Sequence, residues 1–438
     1  MITSVRIEGF RSFKSAEVKL EPLTVLVGPN GAGKSNLVHA LGTLRTILLA
    51  GMPSAPEDEA KSFGLPVRTL TFGGSVGLPW TFALTAQDTG GHADYELTLD
   101  RPTSRHHRLE VTRERLRYHD AQGDVGFDPA SDAGGKQEIA KHIPFQLPSS
   151  SPAAHFARVN NVRAEESREA TALFWLLRQL GFVDRFRPVP GNMRSSKLDW
   201  PGGVRSGGLG LVAELRKMKD RPRSRFPAVV DRLHKCFPMV EDVGFDVVDD
   251  RVELRFALTG ISDPIPPEVV SDGVLLGLFY SWWLTTLDEA GSSGFTLFED
   301  PSDGLHPYLY RQIASWLVGA TEGRFGPRAQ VVVVSHSPDF INEVVGEHLE
   351  RLRIVERTDE GGTTFRALPD VDDEKQDEQL REMLKAYRNA AGTLWYSGSV
   401  GGYEPSLVRP AGNTPDEVGN PPTDRPEPTR DENQPGTR

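Results

Sequence analysis

Leu23-Thr24-Val25-Leu26-Val27-Gly28-Pro29-Asn30-Gly31-Ala32-Gly33-Lys34-Ser35-Asn36 passes from an unbroken apolar run into a glycine loop. Five β-prone residues without polar alternation describe a strand covered on both faces, as in a parallel sheet. Gly28–Ser35 fits the pattern GxxxxGK(S/T). Glycines at those places let backbone N–H groups curl around a phosphate without Cβ clashes. Lysine then brings a mobile cation to the β- and γ-phosphates, and the serine hydroxyl suits Mg²⁺. A helix from about Lys34 to Leu49 is expected to follow. Gly28, Pro29, Asn30, Gly31, Ala32, Gly33, Lys34, Ser35 and Asn36 are therefore the predicted nucleotide-binding residues, with ATP and Mg²⁺ as cofactors.

Around this segment the first 50 residues read as strand, strand, loop, helix, with Val5–Glu8 and Ala16–Leu20 as short strands. Residues 80–118 alternate with period two, as in Thr81-Phe82-Ala83-Leu84, which predicts an antiparallel meander. An α/β rhythm returns after 270. It comprises a helix at 273–288, a turn at Gly291-Ser292-Ser293-Gly294, a strand at 295–299, a helix near 308–319 and the strand Val331–Val334. A hairpin is expected over 351–367, turning at Asp359-Glu360-Gly361-Gly362, and a helix over 374–390. Between 120 and 270 only Glu165–Gly181 and Phe226–Phe237 look helical, and no heptad run is sustained, so no long coiled-coil arm is expected.

A phosphate loop needs an acid at the end of a neighbouring strand for Mg²⁺ and a group to orient the attacking water. Phe295-Thr296-Leu297-Phe298-Glu299-Asp300-Pro301 is an apolar strand ending in two acids. With Leu305-His306-Pro307 it resembles the "DEPE…LHP" region of RecF-like, ABC/SMC-type ATPases. Three further segments match that family in order. Gly9-Phe10-Arg11-Ser12-Phe13 is similar to its N-terminal "nFRsF" turn. Val270-Ser271-Asp272-Gly273 is similar to its degenerate signature motif, and Ser335-His336-Ser337-Pro338 to its "THSP" switch-histidine segment. The resemblance covers roughly 1–50 and 235–400.

The resemblance implies an α/β P-loop NTPase fold: an ABC/SMC-type head with an antiparallel β lobe and a mixed α/β insertion. The head is expected over 1–370, divided into an N-terminal segment (1–119), an insertion (120–269) and a C-terminal segment (270–370). A helical extension (371–400) and a disordered tail (401–438) complete the expectation. By resemblance Glu299 takes the Mg²⁺-side role with Ser35, Asp300 activates water and His336 completes the catalytic group. ATP would be sandwiched between two heads, with Ser271 and Gly273 supplied by the second copy. The family has Asp then Glu where this chain has Glu299 then Asp300. A Q-loop glutamine is not located; Gln87 is merely available.

Composition bounds the partners. The chain has 438 residues, 38% of them hydrophobic, a net charge of −11 and one cysteine, Cys236. A disulfide framework within the chain is thereby excluded. Neither a signal peptide nor a bilayer-spanning stretch is evident; the most apolar segment, Gly273 to Leu287, reads as a buried helix, so a cytoplasmic protein without a membrane partner is expected. Asp184 to Lys235 nevertheless holds 13 Lys/Arg against 5 Asp/Glu. The Arg216–Lys235 region is either a solvated surface or a DNA-facing patch. Asp370-Val371-Asp372 spells DxD inside an acidic run and reads as a solvated helix start rather than a nuclease site. Two roles are expected: an ATPase in DNA repair or defence against foreign DNA, or a slowly hydrolysing scaffold that controls a separately encoded effector.

Overall fold

The computed structural model describes residues 1–50, 67–74, 79–100, 110–127, 184–289, 294–368 and 378–400, with Ala172, Trp175, Leu176 and Gln179 between them. All lie in one unit, Met1–Gly402. The turn at 291–293, most of the helix expected over Glu165–Gly181, the Asp370-Val371-Asp372 run and the tail from 401 fall outside the described residues.

The strands are β1 (Ile2–Phe10), β2 (Phe13–Lys19), β3 (Leu23–Val27), β4 (Trp80–Gln87), β5 (His92–Asp100), β6 (Glu110–Asp120), β7 (Gly123–Phe127) and β8 (Asp184–Phe186). They continue with β9 (Ser195–Lys197), β10 (Val240–Val248), β11 (Arg251–Leu258), β12 (Phe295–Glu299), β13 (Gln330–Val334), β14 (Leu352–Arg357) and β15 (Thr363–Ala367). The main helices are α1 (Lys34–Ala50), α2 (Leu211–Asp220), α3 (Phe226–Cys236), α4 (Asp272–Glu289), α5 (Tyr310–Glu322), α6 (Pro338–Val345), α7 (Glu378–Ala386) and α8 (Ala391–Tyr396).

The central sheet has the order β15-β14-β3-β13-β12-β8. β3, β13, β12 and β8 run parallel, β14 runs parallel to β3, and β15 closes the edge as an antiparallel hairpin. Every residue of β3, β12 and β13 is buried. The apolar run divides by pleat: Val331 and Val333 enter one core, Val332 and Val334 the other. Period two is thus hidden in an unbroken valine stretch because both faces are covered. One face carries α1 and the antiparallel sheet β2-β1-β4-β5-β6-β7; the other carries α4, α5 and α6.

Gly273 to Leu287 is indeed the interior of a helix. α4 is buried almost all round, with Trp283 edge-on to Phe298 of β12 at 4.8 Å between ring centroids. A helix apolar on every side belongs in a core, and among the described residues no helix is long and apolar enough to cross a membrane. The stretch 120–269 lends strands to both larger sheets through β7 and β8, and forms a small sheet β10-β11-β9 beside α2 and α3.

Among its described residues the antiparallel lobe holds one buried acid. Glu114 on β6 is 1% exposed and accepts a hydrogen bond from the Tyr95 hydroxyl at 2.7 Å through Oε1, while Oε2 has no hydrogen-bond partner among the described residues. Burial pushes its carboxyl up to about 7, partly offset by the Tyr95 bond. A folded-state pKa above the unfolded value favours the protonated form, so this contribution is full below about pH 4.5 and lost as pH rises through about 7. Glu114→Gln should therefore flatten the pH dependence of stability, gaining on the order of 1–3 kcal/mol over the parent at pH 8 and far less at pH 5. Urea melts at both pH values check this; parallel curves for parent and variant would contradict it.

Candidate nucleotide site at the strand ends

In a parallel sheet all strands of one direction end on the same edge, which is where ligands bind in open α/β folds. Val334 pairs with Leu26, and Glu299 with Val334. This register delivers the glycine loop after β3, the acid pair after β12 and Ser335-His336 after β13 to one edge.

The loop's shape explains its glycines. Gly28 and Gly33 have φ of 150° and 107°, backbone that L side chains rarely adopt. A Cβ on Gly28 would stand 2.1 Å from the Val355 carbonyl oxygen, and one on Gly33 would stand 2.2 Å from Thr363 Oγ1. The β14–β15 hairpin is thus the back wall of the loop. Thr363 Oγ1 lies 2.6 Å from the Ala32 carbonyl oxygen and 2.7 Å from Ser12 Oγ, which accepts from Asn36 Nδ2 at 2.7 Å. Arg11 Nη1 donates to Asn36 Oδ1 at 3.1 Å. The Gly9–Phe13 turn and the C-terminal hairpin therefore brace the loop through Asn36, a structural contact for a residue expected to bind nucleotide.

Lys34 is 6% exposed and donates through Nζ to the carbonyl oxygens of Gly28 (2.7 Å) and Pro29 (2.8 Å). Burial holds its ammonium down at about 8, against the pull of Asp300 and Glu299. Those attractions place the lysine and both acids in one field. Ser35 is half-buried at the start of α1.

Glu299 is 5% exposed and forms an ion pair with Arg185 of β8, Nη2 to Oε2 2.6 Å. Its Oε1 is buried without a hydrogen-bond partner among the described residues. Arg185 Nη1 also lies 3.0 Å from His39 Nε2, and burial together with Arg11 and Arg185 depresses the His39 pKa to about 4. Asp300 has φ +45°, in the left-handed region, and its N–H donates to the Val334 carbonyl at 2.8 Å. Burial raises its pKa; His336 opposes this and Asp303 adds to it. Burial lowers the His336 pKa, with the Lys34 charge adding to the effect and Asp300 opposing it. Lys34, Asp300 and His336 thus interact as a group, joined by Asp303 and Arg187.

Ser271 and Gly273 flank the first residue of α4. Ser271 is exposed at the N-terminal end of α4, where its carbonyl accepts from Val274 N at 3.0 Å, and Asp272 pairs with Arg194 at 2.9 Å. Neither Ser271 nor Gly273 hydrogen-bonds a residue of the glycine loop, among the described residues. Gly273 packs beside Gly304 and Leu309, in the segment that follows the acid pair. Gln87 is tied by backbone bonds to Met1 at the far end of β4. In the basic segment, Arg216 pairs with Asp220, Lys217 with Glu214, and Lys219 lies over the Phe226 ring at 5.1 Å, so much of the charge is engaged locally. Arg221 and Arg223 are exposed.

Arg185, Arg187 and Asp303 are site residues that sequence reading did not find. The two arginines lie on and just after a three-residue edge strand too short to show a period, and Asp303 follows the acid pair in a turn closed by its N–H on the Asp300 carbonyl at 3.0 Å.

Known proteins resemble this chain at three levels. It is similar to the Streptomyces avermitilis DNA replication and repair protein RecF, 49% identical over 47 residues, a match spanning 10% of this chain and 13% of that protein. Among solved structures it is similar to the SMC head domain from Thermotoga maritima, 13% identical with a TM-score of 0.36 over 84% of this chain and 99% of that one. It is also similar to the Smc head domain bound to the C-terminal domain of ScpA from Pyrococcus furiosus, 13% identical with a TM-score of 0.41 over 88% and 99% of the two chains. The family described as "AAA domain, putative AbiEii toxin, Type IV TA system" matches residues 23–342, from the strand before the glycine loop to the helix after His336. The chain belongs to this AAA-domain family.

Proposed function

We propose that the protein is an ATP-driven switch in which two copies sandwich ATP and hydrolyse it slowly to ADP and phosphate. The observation that most supports this is the convergence of Lys34, Glu299, Asp300 and His336 where parallel strands end beside the glycine loop. Lys34 leaves its parking carbonyls to meet the β- and γ-phosphates. Asp300 takes the proton of the attacking water, and His336, kept neutral by burial, orients the γ-phosphate side of the site.

Mg²⁺ fits the residues present. Among the described residues no group of three or more His, Cys, Asp or Glu side chains is placed to hold a metal ion by itself, and Mg²⁺ commonly takes one or two protein ligands plus substrate phosphates and water. The buried, unpartnered Glu299 Oε1 is suited to such a role, with the Ser35 hydroxyl on the loop side. When bound, the ion neutralises charge that develops on the phosphates.

The biological setting we propose is DNA repair or defence against foreign DNA. The name of the RecF relative supports the first and the toxin–antitoxin wording of the family description the second. That wording also favours the alternative, a scaffold that controls a separately encoded effector. DNA contact would use the exposed Arg221 and Arg223 within the Arg216–Lys235 region. The sandwich is testable at Ser271, exposed at the end of α4. Ser271→Arg, made in an Asp300→Asn background that holds ATP, should fold and bind ATP yet stay monomeric by light scattering. An ATP-dependent dimer as strong as its parent's would sink the composite site.

A further inference from the structure

We infer that Arg185 is a positioning residue that fixes Glu299 for the cation, an inference that rests on the metal-side role proposed for Glu299. Glutamate at this place is one methylene longer than the aspartate of the resembling family and has an additional side-chain rotor. A carboxylate free to rotate would present its oxygens at variable distance from the phosphate loop. Arg185 removes that freedom by holding Oε2 at 2.6 Å, which leaves Oε1 as the carboxylate oxygen without a hydrogen-bond partner among the described residues.

The same guanidinium reaches a second element. Its Nη1 lies 3.0 Å from His39 Nε2. A guanidinium only donates, so that imidazole nitrogen accepts and its proton sits on Nδ1. His39 is four residues after Ser35 on α1, one turn along the same helix face. Arg185 therefore spans the two elements that carry the proposed Mg²⁺ ligands, α1 with Ser35 and β12 with Glu299. A planar fork can hold both ends at once, which a lysine ammonium on a flexible stem does not reproduce. The parallel register, Leu297 opposite Arg185, brings the arginine there from β8.

The test uses Arg185→Lys and Arg185→Met in the full chain. A fluorescent ATP analogue is titrated at a series of Mg²⁺ concentrations and in EDTA. Both variants should need about ten times more Mg²⁺ or higher for half-maximal binding, the usual effect of losing a partner that orients a metal ligand. Their affinity in EDTA should stay within about twofold of the parent's, as expected when only the metal side is disturbed. A lowered melting temperature with an unchanged Mg²⁺ titration would make Arg185 a charge neutraliser and overturn the inference. Should Arg185→Met fail to fold, Arg185→Lys decides in the same way. Glu299→Gln separates the two levels. If it leaves the parent's Mg²⁺ requirement intact, the metal-side reading of Glu299 fails and the inference falls with it. If it removes that requirement while both Arg185 variants titrate like the parent, only the inference falls.

Discussion

Asp300→Asn is expected to lose ATP hydrolysis by roughly 10²–10⁴-fold, the usual worth of a positioned base, while still binding ATP and prolonging the ATP-held dimer. Burial raises the Asp300 pKa, which makes the carboxylate a better proton acceptor and sets its loss of function on acidification above the ordinary aspartate range. Hydrolysis should therefore fade on lowering the pH earlier than a solvated aspartate would predict. The backbone explains why Asp stands where the resembling family has Glu. At φ +45° a residue lies in the left-handed region, where Asp and Asn are enriched among non-glycine residues. Asn keeps that conformation, so Asp300→Asn removes the base without disturbing the turn. Asp300→Glu should restore reach but strain the turn, and is expected to fall short of parental turnover. With a base one methylene shorter than usual, parental turnover itself should lie below the ~10 s⁻¹ median for enzymes. Phosphate release measured for the parent and both variants checks this, and parental rates in Asp300→Asn would move the base role to another residue.

Several elements were legible because their signals are local. The apolar run Leu23–Val27 followed by glycines specifies strand, loop and helix within one short segment, and β12 matches the expected 295–299 strand. Alternation over 80–118 was equally visible, because the antiparallel lobe exposes one face. β1 and β2 extend beyond the expected strands because pairing carries Ile2–Phe10 and Phe13–Lys19 to the tight turn at Arg11-Ser12. The helix expected near 308–319 begins as a 3-10 turn at Pro307–Leu309, capped by His306, before α5.

What stayed hidden depends on distant pairing. Arg185 meets Glu299 across 114 positions and Thr363 meets Ala32 across 331, so no window of sequence reports either contact. β8 and β9 have three residues each, and the β10–β11 hairpin ends in exposed Val247 and Val248, which blur its alternation. The basic segment was legible as charge alone. Composition registers charge but not that Arg216, Lys217 and Lys219 are engaged by an acid or an aromatic ring nearby.

The central claim is that the glycine loop after β3 holds the phosphates of ATP through Lys34. This ammonium is buried and donates to two loop carbonyls, those of Gly28 and Pro29. Exchanging those bonds for phosphate oxygens gains charge-assisted contacts, and methyl truncation forfeits them. Lys34→Ala also leaves the two carbonyls without their donor, which affects stability more than ligand choice. Isothermal titration of ATP into the parent and into Lys34→Ala is the direct measurement. A loss of about 1.5–3 kcal/mol in binding free energy, roughly ten- to a hundredfold in affinity, is the predicted result. Equal ATP affinity in a folded Lys34→Ala protein would contradict it.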